Sequence, residues 1–229
     1  MKTQTTIQRS ESLGLAALLA LAGGLLDAYT YLCRGGVFAN AQTGNIVLMS
    51  QAAFDGNLAR VLHYLVPLLS FALGVAVAEA IRIRYREAKR LHWRQLVLVV
   101  EILLLFGVGF IPNTLDMAAN ALVSFACAMQ VQAFRKVHGY PFASTMCIGN
   151  LRSGMESLVV CFHLHDKKAL YKALHYFGVI LLFAIGAGLG AQGVAVFGNR
   201  TIWFSCALLL VSLCFMFIQD EEQARQETK

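Results

Sequence analysis

The chain has 229 residues, 58% of them hydrophobic and 14% charged, well away from the roughly half apolar and quarter charged usage of a soluble domain. That excess is more than one core of this length can hide, which excludes a soluble enzyme and makes lipid the solvent. The net charge of +6 comes from basic residues between the apolar windows, where they set orientation, so no nucleic-acid partner is expected.

Residues 1–11 are polar, and the apolar run 13–32 is too long for a signal-peptide core and lacks a cleavage site, so it predicts a retained first helix. Further windows long and apolar enough to cross follow at 61–81, 95–111, 117–134, 173–193 and 201–218. Two other stretches, 42–54 and 146–162, are shorter or more polar. The second carries Arg152 and Glu156, each costly at the centre of a lipid-facing helix. Cys33, Cys127, Cys147, Cys161, Cys206 and Cys214 show no CxxC spacing and read as lipid-buried thiols, not as a disulfide framework or zinc site.

An internal repeat organises these windows. Leu62-His63-Tyr64, Leu69, Phe71-Ala72 and Gly74 recur at one offset as Leu174-His175-Tyr176, Leu181, Phe183-Ala184 and Gly186. Upstream, Ala28, Gly44 and Asn45 match Ala133, Gly149 and Asn150, and Phe38-Ala39 matches Phe142-Ala143 after a one-residue slip. Residues 1–229 thus read as one membrane domain of two copies, about 13–111 and 117–218.

The positive-inside rule then chooses between six and eight crossings. With 42–54 and 146–162 re-entrant, one side collects Lys2, Arg9, Arg82, Arg84, Arg86, Lys89, Arg90, Arg94, Arg135, Lys136, Lys167, Lys168, Lys172, Arg225 and Lys229. Only Arg34, Arg60 and Arg200 fall on the other. Eight crossings would split the charges almost evenly. The expected fold is therefore all-α: six transmembrane helices plus two short re-entrant helices, as two inverted-topology repeats of three crossings each, with both termini cytoplasmic.

Polar residues at membrane depth are the candidate site. Asp27 pairs by repeat position with Gln132; it is either a proton-coupling or substrate-contacting carboxylate, or an acid tied to a neighbouring helix or to Arg34. Thr43-Gly44-Asn45 and Ile148-Gly149-Asn150 each open a short helix, whose unpaired N–H groups suit a small anion or a polar neutral solute. The same glycines and asparagines could instead only turn and cap the chain. Arg152 and Glu156 stand four apart and can pair on one face, and His63 and His175 read as interface histidines. Gly23, Gly24, Gly74, Gly107, Gly109, Gly186, Gly188 and Gly190 read as helix-packing positions, and Pro67 as a kink. HExxH, GxSxG, P-loop and dinucleotide patterns are absent, so a non-enzyme without metal or cofactor is expected.

Gly24-Leu25-Leu26-Asp27-Ala28, then Gly35 to Asn45, and in the second half Met129 to Gln132 with Thr145 to Arg152, resemble the two motifs of the YoaK family of bacterial multi-pass membrane proteins of unknown function. Ile148 stands where that family pattern usually offers Thr, which removes a hydroxyl. The resemblance implies a six-span protein of the bacterial inner (plasma) membrane and supplies no substrate, cofactor or reaction. Fold logic then favours a small-solute transporter or channel-like protein with a site between the two short helices. The alternative is a membrane scaffold, or a protein that engages lipid or a partner.

Overall fold

The computed structural model describes residues 13–85, 93–137, 140–141, 145 and 147–227. Eight α-helices follow one another there: α1 (Leu13–Cys33), α2 (Gln42–Phe54), α3 (Leu58–Tyr85), α4 (Trp93–Val108), α5 (Asp116–Ala133), α6 (Cys147–Leu164), α7 (Lys167–Phe197) and α8 (Ile202–Glu227). Short 3-10 turns at Asn113–Leu115 and Gly198–Thr201 lead into α5 and α8, and Lys136–Val137 pairs with Tyr140–Pro141 in a two-residue ribbon. The repeat match at Phe142-Ala143, and the basic residues Lys2, Arg9, Arg86, Lys89, Arg90 and Lys229, lie outside the described residues.

The protein is thus of the helical membrane class, in which each segment satisfies its own backbone away from water. Leu13–Cys33, Leu58–Tyr85, Asn113–Ala133 and the continuous stretch Lys167–Ile218, which holds α7 and most of α8, are long and apolar enough to cross a bilayer. α4, at 16 residues, is shorter. α3 and α7 begin several residues before their apolar windows because polar side chains cap them. Asn57 Oδ1 accepts from the Arg60 amide at 3.0 Å, and Asp166 Oδ1 accepts from the Lys168 amide at 2.8 Å.

α1 sits at the centre and is buried over most of its length. α3, by contrast, buries only Tyr64, Pro67, Gly74 and Ala78 and presents the rest of its apolar surface outward. α1 packs most extensively on α7, as α5 does on α3. α2 lies on α3 as α6 lies on α7, and α4 meets α5 as α8 meets α1. Each of these pairings maps onto its counterpart when α1–α4 are exchanged for α5–α8.

Glycine makes the two largest contacts feasible. A Cβ on Gly186 would collide with the Leu21 backbone of α1, and one on Gly24 with the Phe183 carbonyl of α7. Gly74, the repeat partner of Gly186, stands against the Phe125 carbonyl of α5 in the same way. Backbone-to-backbone approach of this kind gives van der Waals contact where lipid supplies no hydrophobic drive between helices. Gly107 and Gly188 depart from the packing expectation, since a Cβ on either meets nothing within 4 Å. Pro67 lies buried inside α3, which runs on through it.

Arg34, the first residue beyond α1, is fully buried and ties four segments together. Its Nε donates to Tyr29 Oη at 2.8 Å and Nη1 to Asp116 Oδ1 at 3.0 Å. Nη2 donates to the carbonyls of Val108 (3.2 Å) and Ile111 (2.9 Å). The expected alternative of an Asp27–Arg34 contact is therefore replaced by an Arg34–Asp116 ion pair.

Candidate functional site

Asp27 lies in the second half of α1 and is buried, with 6% of its surface exposed. Its Oδ1 accepts from the Asn40 backbone amide at 2.7 Å and from Asn40 Nδ2 at 3.4 Å, while Nδ2 also donates to the Gly23 carbonyl at 3.3 Å. These bonds fix the level of α2. Gly35 and Gly36 take φ of +81° and +80°, which reverses the chain after α1. Residues 37–41 then run back beside α1, so that α2 opens next to its middle. α2 ends in the turn Asp55-Gly56-Asn57, and α3 starts nearby, with His63 Nε2 2.9 Å from the Gly35 carbonyl at the end of α1.

The amides at the start of α2 are engaged locally. Gln42 N donates to Asn40 O at 2.8 Å and Gly44 N to Ala41 O at 2.9 Å. Asn45 is fully buried and braces the same loop: its Oδ1 accepts from Phe38 N at 2.9 Å, and its Nδ2 donates to Phe38 O at 2.7 Å and Gln42 Oε1 at 2.9 Å. Gly44 packs under the Phe38 ring. Asn45 thus braces this loop and is closed off from open space, while Gly44 lets the Phe38 ring approach the backbone.

A cavity of about 670 Å³ lies between the starts of α2 and α6. Asp27, Asn40, Gln42 and Thr43 bound it on one side; Thr145, Cys147, Ile148 and Gly149 bound it on the other. Tyr31, Phe38, Phe71 and Phe183 supply aromatic walls. Asn40 Oδ1 and Thr145 Oγ1, on residues each 7% exposed, have no hydrogen-bond partner among the described residues.

Of the residues singled out by sequence, the cavity brings together Asp27, Thr43 and Gly149. Gln132 does not join them: its side chain turns to Glu79 of α3, which also pairs with Arg82. Asn150 is buried and is not part of the lining. Arg152 and Glu156 do pair, at 2.9 Å, on an exposed face of α6. Asn40, Thr145 and Glu101 were not singled out. Asn40 and Thr145 sit inside the quoted motifs, at the offset that relates Gly44 to Gly149, so the repeat itself could have found them. Glu101 is the third: a lone acid inside an apolar window, fully buried in α4 with neither carboxyl oxygen bonded among the described residues.

Compared with known proteins, residues 15–215 match the family model described as "Protein of unknown function (DUF1275)". The chain belongs to this family. It is also similar to the UPF0700 transmembrane protein YoaK of Bacillus subtilis (strain 168), with 28% identity over 204 residues, 85% of this chain and 89% of that protein. No solved structure matches it. The match spans the DUF1275 chain from α1 into α8 and so includes α2, α6 and every residue lining the cavity.

Proposed function

We propose that this DUF1275 protein is a six-crossing, non-enzymatic protein of the bacterial inner membrane. It binds a small solute between its two short helices and carries it across. The arrangement is a pair of inverted repeats of three crossings each, with both termini cytoplasmic. The observation that carries the reading is that the cavity is lined by repeat-matched residues from both halves: Asn40 with Thr145, Phe71 with Phe183, and the first turn of α2 with that of α6. The exchangeable helix pairings and the start of α2 beside the middle of α1 support re-entrant short helices. So do the basic residues, which gather on one side only under six crossings.

Discontinuous helices meeting at the midplane are a recurrent way to build a solute site in transporters. An anion is the weaker candidate solute here, because the Asp27 carboxylate already holds the place at the start of α2 that an anion would take. A scaffold reading is favoured by one observation, the bonding of Asp27 to Asn40, which stitches α1 to the loop before α2.

Gly149→Leu separates the two readings, since its Cβ points into open space and adds bulk without a clash. Transport predicts normal insertion, unfolding within about 1 kcal/mol of the parent, and slowed solute-driven swelling of proteoliposomes. Swelling no faster than in protein-free vesicles for the parent chain, across small neutral solutes and salts, leaves the scaffold reading.

A further inference from the structure

We propose that the central cavity accepts a small organic ammonium ion, a protonated amine carrying an apolar body about the size of one ring. This rests on the central-site reading above and names the ligand class of that site. It follows from counting donors against acceptors in the lining. Asn40 Nδ2 is committed to Gly23 O and Asp27, and Gln42 Nε2 to Ala39 O at 2.8 Å. Gln42 Oε1 is taken by Asn45. What remains on deeply buried side chains is the unpartnered Asn40 Oδ1 and the unpartnered Thr145 hydroxyl, beside the Asp27 carboxylate, whose Oδ1 already accepts from Asn40.

The most deeply buried side chains of the lining are thus richer in acceptors than in donors, and a ligand that brings its own N–H groups complements them. Burying a polar group without a partner is costly, so an ammonium drawn to the Asp27 carboxylate, with the Asn40 and Thr145 side chains turning their occluded oxygens toward it, relieves an existing deficit as well as its own. Charge points the same way. Among the described residues of the lining, Asp27 carries the only formal charge, and none is a Lys or Arg that would neutralise a carboxylate or phosphate ligand. The aromatic walls suit the rest of the molecule: Phe71 from α3 and Phe183 from α7 can bury a ring, and aromatic faces attract a cation electrostatically. A volume of about 670 Å³ leaves room for such a molecule with water beside it.

The test uses the purified full-length protein and three compounds with one phenyl-alkyl skeleton and different heads: phenethylammonium, 2-phenylethanol and 3-phenylpropanoate. Two readouts are followed, the rise in unfolding temperature and the slowing of Cys147 alkylation, quantified on its peptide, because Cys147 lies in the cavity wall. Phenethylammonium is expected to bind at least about tenfold more tightly than either analogue, a difference of about 1.4 kcal/mol. Asp27→Asn is expected to bring it down to the level of the alcohol. If that variant does not reach the membrane, Phe71→Leu is expected to weaken the amine about fivefold more than the alcohol. Equal weakening overturns the cation assignment. Tighter or equal protection by the alcohol or the carboxylate overturns the ligand class and leaves the central site standing. No protection and no stabilisation by any of the three overturns both.

Discussion

Arg34→Ala is expected to destabilise the protein by about 3–5 kcal/mol, enough to remove most folded material from the membrane fraction. The magnitude follows from what is left behind. Tyr29 Oη, the Asp116 carboxylate and the Ile111 carbonyl would lose the guanidinium at once, and the Val108 carbonyl would keep only the Ile111 amide. Asp116 would keep a charge that is only partly solvated, with 22% of its side chain exposed. Arg34→Lys should recover little, because a single ammonium cannot reach acceptors spread around a planar fork. Asp116→Asn should cost clearly less, since the guanidinium keeps its other three acceptors. Thermal unfolding in detergent, read beside the yield of inserted protein, ranks the three variants. Equal stability of Arg34→Ala and the parent would remove Arg34 from its role as the tie between α1, α4 and α5.

Gly186→Ala and Gly74→Ala form the second pair, with an expected loss of about 3 kcal/mol or more each, at or above the usual cost of overpacking. The reason is that each new methyl meets backbone, the Leu21 segment of α1 in one case and the Phe125 segment of α5 in the other, and no rotamer change can yield. The two helices would have to separate, taking neighbouring contacts with them. Gly188→Ala is the internal control. It lies two residues from Gly186, its Cβ meets nothing, and the better helix propensity of Ala should leave stability unchanged or slightly raised, by up to about 1 kcal/mol. Comparable losses at Gly74 and Gly186 would also measure how alike the two halves are.

Much of this was legible in the sequence because the repeat carries information that a single window does not. Hydropathy alone left 42–54 and 146–162 ambiguous, yet their matched Gly-Asn pairs marked two helices, α2 of 13 residues and α6 of 18, the second as long as α5. The same matching placed Asp27 and the two helix openings at one site, and Asp27, Thr43 and Gly149 line one cavity. Repeat position fixes where a residue sits along a helix, not where its side chain turns. Gln132 occupies the place of Asp27 but turns to Glu79 of α3, which is not part of the cavity lining. Asn45 has the composition of a ligand and serves as a brace, because the carbonyl and amide of Phe38 lie within its reach. Arg34 and Asp116 stand 82 residues apart, and no local pattern announces such a pair. Glu101 escaped because one acid barely lowers the average of a long apolar window.

The central claim is that α2 and α6 each dip into the bilayer from opposite faces and return. Cysteines placed at Asn57, Asp166 and Asn199, in a background without native cysteine, test it through labelling of intact cells with a membrane-impermeant thiol reagent. Positions 57 and 199 are predicted to label from outside, and position 166 only after the cells are opened. Labelling of 166 from outside, with 199 protected, would mean that both short helices pass straight through, and the paired central site would not exist.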